Sequence, residues 1–181
     1  SRAYQRAIAA PKGWSPNYDS YFTRRVTRRL PAEMLFDAVS QTAGLKPSYK
    51  ITFSDKKTPY ILQTRSPQDV DKSDPAMYRA LQAFGQCDRY AIEADRKPTM
   101  VQAAILLNDK VIREKLVLAK DHPLRALPPE KVVEELYLSA LARFPNDKEK
   151  QLGEALLREN QTEGTEDLLW TLVNRLDFLF Y

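Results

Sequence analysis

The sequence predicts a mainly α-helical fold: a compact, multi-helix orthogonal bundle with one irregular, proline-rich insertion able to hold a short β-hairpin. Three observations carry that expectation. Apolar residues recur at three- and four-residue spacing through most of the chain, the period of one helix face. Prolines stand where those stretches begin, and Gly44, Gly85 and Pro145 stand where they stop. With only 5 Gly among 181 residues, 43% hydrophobic and 29% charged, the composition is that of a folded chain, not a disordered one. One helical domain is expected over residues 1–181, with N-terminal helices in 1–44, the insertion in 45–76 and a helical core in 77–181.

Residues 1–10 read as a short helix with Tyr4 and Ile8 on its apolar side, stopped by Pro11 and Gly13. Trp14-Ser15-Pro16-Asn17 is a turn. Tyr18, Tyr21, Phe22 and Val26 then give an aromatic helix face with Arg24, Arg25 and Arg28 opposite. Pro31 opens a cleaner helix whose stripe is Met34, Leu35, Ala38 and Val39 and whose stop is Gly44. From 45 to 76, Pro47, Pro59, Pro67 and Pro75 leave no room for a long helix. There Tyr49, Ile51 and Phe53 alternate as a strand would, with Tyr60-Ile61-Leu62 as its partner, or the whole is an extended loop; a surface excursion is favoured. Asp74-Pro75 starts the next helix, with Met77, Leu81 and Phe84 on one side, and a polar link through residues 86–97 follows.

Residues 97–118 are expected to organise the chain. Pro98 suits a first helical position, and Met100, Val101, Ala103, Ala104, Ile105, Leu106 and Leu107 surround the helix, which predicts burial on several sides. Asn108 and Asp109 break the run, and Val111, Ile112, Leu116 and Val117 resume it. After His122-Pro123 and Pro128-Pro129, a regular stripe runs from Val132 and Val133 through Leu136, Tyr137, Ala140 and Leu141 to Phe144. Asn146 with Glu149 is a capping box opening a helix whose stripe is Leu152, Ala155 and Leu156. Thr165 is expected to cap the last helix, with Leu168, Leu169, Leu172, Val173 and Leu176 inward, before Phe178-Leu179-Phe180-Tyr181. Leu106-Leu107-Asn108 before Ile112, and Leu172-Val173-Asn174 before Phe178, read as two helix-ending turns with the same physics.

The formal charge of +4, from 28 basic and 24 acidic residues, is too small for a strong field toward polyanions. No apolar run reaches the roughly 20 residues of a membrane span, and no secretory signal opens the chain. The chain begins at Ser1 without a Met and reads as a piece of a longer precursor. One cysteine and one histidine supply no metal-ligand set and no haem-attachment motif, so no cofactor is expected.

Four stretches taken together carry a family resemblance: Ser1-Arg2-Ala3-Tyr4-Gln5; Arg28-Arg29-Leu30-Pro31-Ala32-Glu33 with Asp37-Ala38; Phe84-Gly85 through Pro98-Thr99-Met100-Val101-Gln102-Ala103 to Leu106-Leu107-Asn108; and Asp167-Leu168-Leu169-Trp170-Thr171-Leu172-Val173-Asn174 with Phe178-Leu179-Phe180. In these the chain resembles the C-terminal part of the planctomycete-type domain of unknown function 1553. The resemblance implies a large exported bacterial protein, periplasmic or at the cell surface, in which the domain follows a companion domain, often behind a cytochrome c-like module. It implies no activity and no catalytic residues. Where many relatives carry Cys-Glu-Cys-Glu-Arg, this chain reads Ile92-Glu93-Ala94-Asp95-Arg96, so no metal or redox role of those cysteines is expected here.

Two candidate groups remain. Arg28, Arg29, Glu33 and Asp37 could form a polar cluster, the first residues to test if the chain completes an enzyme's active site together with upstream sequence. Trp14, Trp170, Phe180 and Tyr181 could form a contact patch, although aromatics at helical spacing are more often core. Arg24, Arg25, Arg28 and Arg29 could face phosphates, yet salt bridging is the favoured reading and nucleic acid is not an expected partner. Salt bridging is also favoured for Glu134 with Glu135, a loop position for His122 and a buried apolar role for Cys87. The reading favoured is a non-catalytic structural or protein-interaction module whose partners are other domains of the same precursor or another protein.

Overall fold

The computed structural model describes residues 8–86 and 99–180, apart from 11, 22, 26, 53, 65, 67, 68 and 72. The expected helix in residues 1–10 falls largely outside these, as do Phe22, Val26, Phe53, Cys87, the polar link, Pro98 and Tyr181. The fold is mainly helical with one small antiparallel sheet. Its helices are α1 (Ala32–Thr42), α2 (Pro75–Ala83), α3 (Met100–Asn108), α4 (Lys110–Lys115), α5 (Pro129–Leu141), α6 (Asp147–Glu159), α7 (Gln161–Val173) and α8 (Leu176–Leu179); its strands are β1 (Tyr49–Lys50) and β2 (Lys57–Thr58).

The middle of the molecule is α1. Leu35, Phe36 and Val39 are wholly buried, and the helix packs against α2, α4, α5 and the 3-10 turn Ile61–Gln63. Pro31 precedes it, and its chain leaves through Gly44 at φ +67, where a Cβ would run into the His122 ring. Met34 on the expected stripe faces solvent and Phe36 takes its place. Before α1 the expected aromatic helix is only the 3-10 segment Pro16–Tyr21, with Tyr18 and Tyr21 exposed. The segment just ahead of α1 is instead extended: Arg29 bridges Phe180, and Leu30 N–H donates to the Leu179 carbonyl at 2.8 Å.

The expected hub is corrected. The break comes at Asp109, whose side chain accepts the Val111 N–H and caps α4, and Val111, Ile112 and Leu116 are buried. On α3, however, only Gln102 and Leu106 are buried, while Met100 is 90% and Val101 61% exposed. Thr99 and Gln102 form a capping box, and the Gln102 amide also donates to the Ala83 carbonyl at 2.8 Å, tying the start of α3 to the end of α2. That buried amide fixes which side of α3 faces inward. The opposite, oily side is left wet.

Residues 45–76 are more than a surface excursion. Tyr49 pairs with Thr58 and Lys50 with Lys57, so β2 lies before the expected partner Tyr60-Ile61-Leu62, which is the 3-10 turn. Ile61, fully buried, and Val70 join the common core. Asp74 caps α2 through the Ala76 and Met77 amides, as its position before Pro75 predicts.

The C-terminal half is built from α5, α6 and α7, each packed on the other two. Val132, Val133 and Leu136 of α5 are fully buried, but the helix ends at Leu141 with Ala142 at φ +52, so Phe144 is outside it and 66% exposed. Asn146 and Glu149 form the expected capping box. The stripe of α6 is Gly153 and Leu157, with Leu152 and Ala155 outward, because the contact with α5 and α7 runs through the glycine face. Asn160, not Thr165, caps α7, and the Thr165 hydroxyl donates to the Gln161 carbonyl inside it. Leu168, Leu169, Leu172 and Val173 are buried as expected; Leu176 is not. Asn108 ends α3 and Asn174 caps α7, and Ile112 and Phe178 four residues on are both buried, but the turns differ in detail: the Asn174 amide donates to the Trp170 carbonyl, and among the described residues the Asn108 side chain makes no such bond.

Two interactions close this half. At Gly164 a Cβ would lie 2.5 Å from the Leu156 carbonyl oxygen, so α7 can approach α6 only without a side chain there. Glu149 accepts both guanidinium nitrogens of Arg143 at 2.8 Å and one from Arg175 at 3.0 Å, joining α6 to the end of α5 and the corner before α8. The Arg143 guanidinium holds the Glu149 carboxyl at about 2, below its ordinary 4.5. Gly164→Ala should cost about 1–3 kcal/mol in urea unfolding, because the clash is with backbone that cannot rotate away. The ion cluster's contribution is present above pH 4.5 and is lost as pH falls from 4.5 toward 2. Glu149→Gln should therefore remove about 1–2 kcal/mol of stability at pH 7, discounted for the third-exposed arginines, and flatten acid unfolding across that window.

Candidate functional site

A turn of α1 carries two polar side chains on an otherwise apolar face. Asp37 follows the fully buried Phe36, and Ser40 follows Val39; both are themselves buried. The Asp37 carboxylate accepts the Ile61 and Leu62 N–H groups, each at 2.9 Å, and so caps the 3-10 turn of the insertion from outside it. Ser40 donates to the Phe36 carbonyl at 2.9 Å, a bond within the helix that leaves its oxygen facing α4.

Into that space comes Lys115, the last residue of α4. It stands one turn on from Val111 and Ile112 and so shares their buried face. Its Nζ donates to Ser40 Oγ at 3.2 Å and to the Tyr49 hydroxyl of β1 at 2.6 Å. The ammonium is thus held by a helix and a strand that come from different parts of the chain. Burial lowers the Lys115 value to about 8, opposed by the nearby charges of Asp37 and Asp74. Burial likewise raises the Tyr49 phenol well above its ordinary value, and raises Asp37 against the pull of its two amides and of Lys115.

Tyr49 and Lys115 form part of the wall of a cavity of about 470 Å³ between residues 45–50, residues 70–74 and the faces of α2 and α4. Leu45, Val70, Met77 and Val111 supply its apolar lining, and Asp71, Asp74 and Glu114 its acids. Lys46, Lys50 and Lys115 face these acids, so the wall is of mixed character, and the volume is that of a small-molecule site.

The sequence-predicted polar cluster is distributed differently. Arg29 is buried and its Nη2 donates to the Phe84 carbonyl at 3.0 Å, with the guanidinium 5.4 Å from the Phe84 ring. Arg28 is exposed, Glu33 half-buried, and Asp37 serves the Ile61 and Leu62 amides. No ion pair among the described residues joins the four. Of the contact patch, Trp14 lies beneath the Arg24 guanidinium at 4.1 Å, Trp170 faces outward from α7 and Phe180 bridges Arg29. Arg24 also pairs with Asp19 at 3.5 Å, and Glu134 with Lys131 and Lys150. His122 stands in the loop against Gly44, its Nδ1 accepting the Leu124 N–H, and burial lowers its proton affinity. No three His, Cys, Asp or Glu side chains cluster as a metal site among the described residues. No helix there is long and apolar enough to cross a membrane.

The residues that do converge, Ser40, Tyr49 and Lys115, were not singled out by sequence spacing. The available signal was a lysine on the buried stripe of α4, where a charge is costly unless it finds acceptors.

The model of the family described as Protein of unknown function (DUF1553) matches residues 1–157. The chain belongs to the DUF1553 family. No curated protein and no solved structure matches it. The DUF1553 match takes in all of Asp37, Ser40, Tyr49 and Lys115 and ends within α6, short of α7.

Folded Lys115 loses its proton before an unfolded lysine does, so its burial cost is fully present below pH 8 and is relieved as pH rises from about 8 toward 10.5. Stability of the wild type relative to Lys115→Met should therefore climb by up to about 3 kcal/mol across that window, followed by urea unfolding at a series of pH values.

Proposed function

We propose that the chain is a non-catalytic structural or protein-interaction module, one helical domain over residues 1–181, within a larger exported bacterial multidomain protein. Its contact surface is the outer face of α3, and its partner is another domain of the same polypeptide. The observation that carries this is the wet side of that helix: Met100 is 90%, Val101 61% and Leu107 44% exposed, with Ala103 and Ala104 between them. A soluble helix does not ordinarily turn so continuous an apolar strip to water, and such strips mark contact sites. The role of Asp37 as a cap for the Ile61 and Leu62 amides also favours a scaffold over a reaction centre.

Partnership with nucleic acid draws little support, since Arg24 is engaged with Trp14 and Asp19 and Arg29 with Phe84. A second reading, part of an enzyme completed by upstream sequence, is favoured only by the cavity beside Lys115.

Val101→Asp with Leu107→Asp should leave the isolated chain's free energy of urea unfolding within about 0.5 kcal/mol of wild type, because both sites are solvated. The same double variant should weaken association with the separately expressed upstream part of the polypeptide at least about tenfold, or about 1.4 kcal/mol, by calorimetry. Absence of association, or an affinity unchanged by the two aspartates, would overturn the reading.

A further inference from the structure

We infer that Lys115 is a nucleophilic amine that condenses with a small aldehyde or ketone entering the cavity between β1 and α4, with the Tyr49 hydroxyl serving as proton donor. The inference stands on the cavity and its wall, independently of the α3 surface.

The geometry of the amine carries it. An ammonium has three protons, and Lys115 gives one to Ser40 at 3.2 Å and one to Tyr49 at 2.6 Å. Among the described residues no third acceptor bonds it. Loss of that third proton keeps both hydrogen bonds and leaves the nitrogen lone pair in the remaining tetrahedral direction, with the amine already fixed in place. Most lysine amines are mobile and strongly hydrated; this one is neither. The groups facing it are Asp37 and Ser40 from α1, Tyr49 from β1, and Asp74 at the head of α2, with Glu114 beside it on α4 and also on the cavity wall. Desolvation outweighs the two aspartates and brings the amine to about 8, so a useful neutral fraction exists near pH 7.

The step balances without an oxidant or a reductant. The Nζ lone pair attacks the carbonyl carbon, forming the C–N bond as the C=O π pair moves to oxygen. One amine proton transfers to that oxygen to give a carbinolamine. Protonation of its hydroxyl by Tyr49 lets water leave as the C–O bond breaks. The second amine proton then returns the phenol to its neutral form, leaving C=N and one water. Burial raises the affinity of Tyr49 for its proton, so the phenol is protonated throughout the range in which the amine is reactive. The substrate class is a small carbonyl compound with an apolar portion to lie against Val70, Met77 and Val111.

The test is imine trapping on the folded chain at pH 7, with glycolaldehyde or pyruvate as probe and cyanoborohydride as reductant, followed by peptide mapping. At that pH Lys115 carries roughly 300-fold more neutral amine than a lysine of ordinary affinity. It should be modified at least about tenfold faster than Lys46 and Lys50, which line the same cavity and so control for entry of the probe. The preference should vanish in urea, and Tyr49→Phe should slow modification of Lys115 while leaving that of Lys46 and Lys50 unchanged. Lys115 left unmodified in the folded chain, or modified no faster than those two, would overturn the inference; an unchanged rate in Tyr49→Phe would overturn the role of the phenol.

Discussion

The fold depends on how α1 satisfies two buried polar groups. A carboxylate and a hydroxyl on a buried helix face are each costly unless they find partners; Ser40 donates within the helix, to the Phe36 carbonyl, and the donors to both groups come from outside it. Asp37 takes two amides from the insertion, and Ser40 takes a proton from Lys115 of α4. Apolar contacts alone would hold these elements together but would let them slide, since hydrophobic burial is non-directional. Hydrogen bonds at fixed lengths set the register. The insertion and α4 are therefore placed relative to α1 by polar contacts, while the burial of Leu35, Phe36 and Val39 supplies most of the free energy.

That division of labour explains what spacing revealed and what it did not. Local signals were strong at several helix ends, though not at the start of α7, where Asn160 and not Thr165 is the cap. Asp74-Pro75, Asn146 with Glu149, Asp109 and Gly44 all act on groups within a few residues, so their effect is visible in sequence. The identity of the buried face was less legible because it depends on a neighbour. In α6 the apolar residues Leu152, Ala155 and Leu156 outline a plausible stripe, but the approach of α5 and α7 selects the face of Gly153 and Leu157, with only Leu156 of the three packed against the core. In α3 nearly every residue is apolar, so the pattern could not choose a side. A single amide, Gln102, chooses it by bonding Ala83.

The candidate site was partly legible for the same reason. Asp37 stood out as one of a carboxylate pair with Glu33, four residues away, but its partners lie in a turn 24 and 25 residues further on. Ser40, Tyr49 and Lys115 are separated by as many as 75 residues. Nothing local links them. Lys115 could have been noticed as a charge on the apolar stripe of Val111 and Ile112, and Tyr49 as an aromatic beside a proline-rich segment, yet only the packing of α4 on α1 brings them within bonding distance. Arg29 tells the converse story: adjacent to Arg28 and near Glu33, it invited an ion-pair reading, while its guanidinium turns to the end of α2 and bonds a backbone carbonyl.

The remaining question is why a lysine should be used where a neutral group would serve. Ser40 and Tyr49 each need only one donor, and a buried ammonium brings a desolvation cost that two neutral acceptors do not fully offset. Asp37 and Asp74 recover part of it through their charge, but desolvation remains the larger effect, as the lowered proton affinity of Lys115 records. A purely structural tie at this position would be better made by a side chain that is neutral at every pH. Lys115, moreover, is a wall residue of a cavity, whereas Leu35, Phe36 and Val39 are wholly buried. Both the cost that is tolerated and the place where it is tolerated fit a group retained for what it can do as a free base.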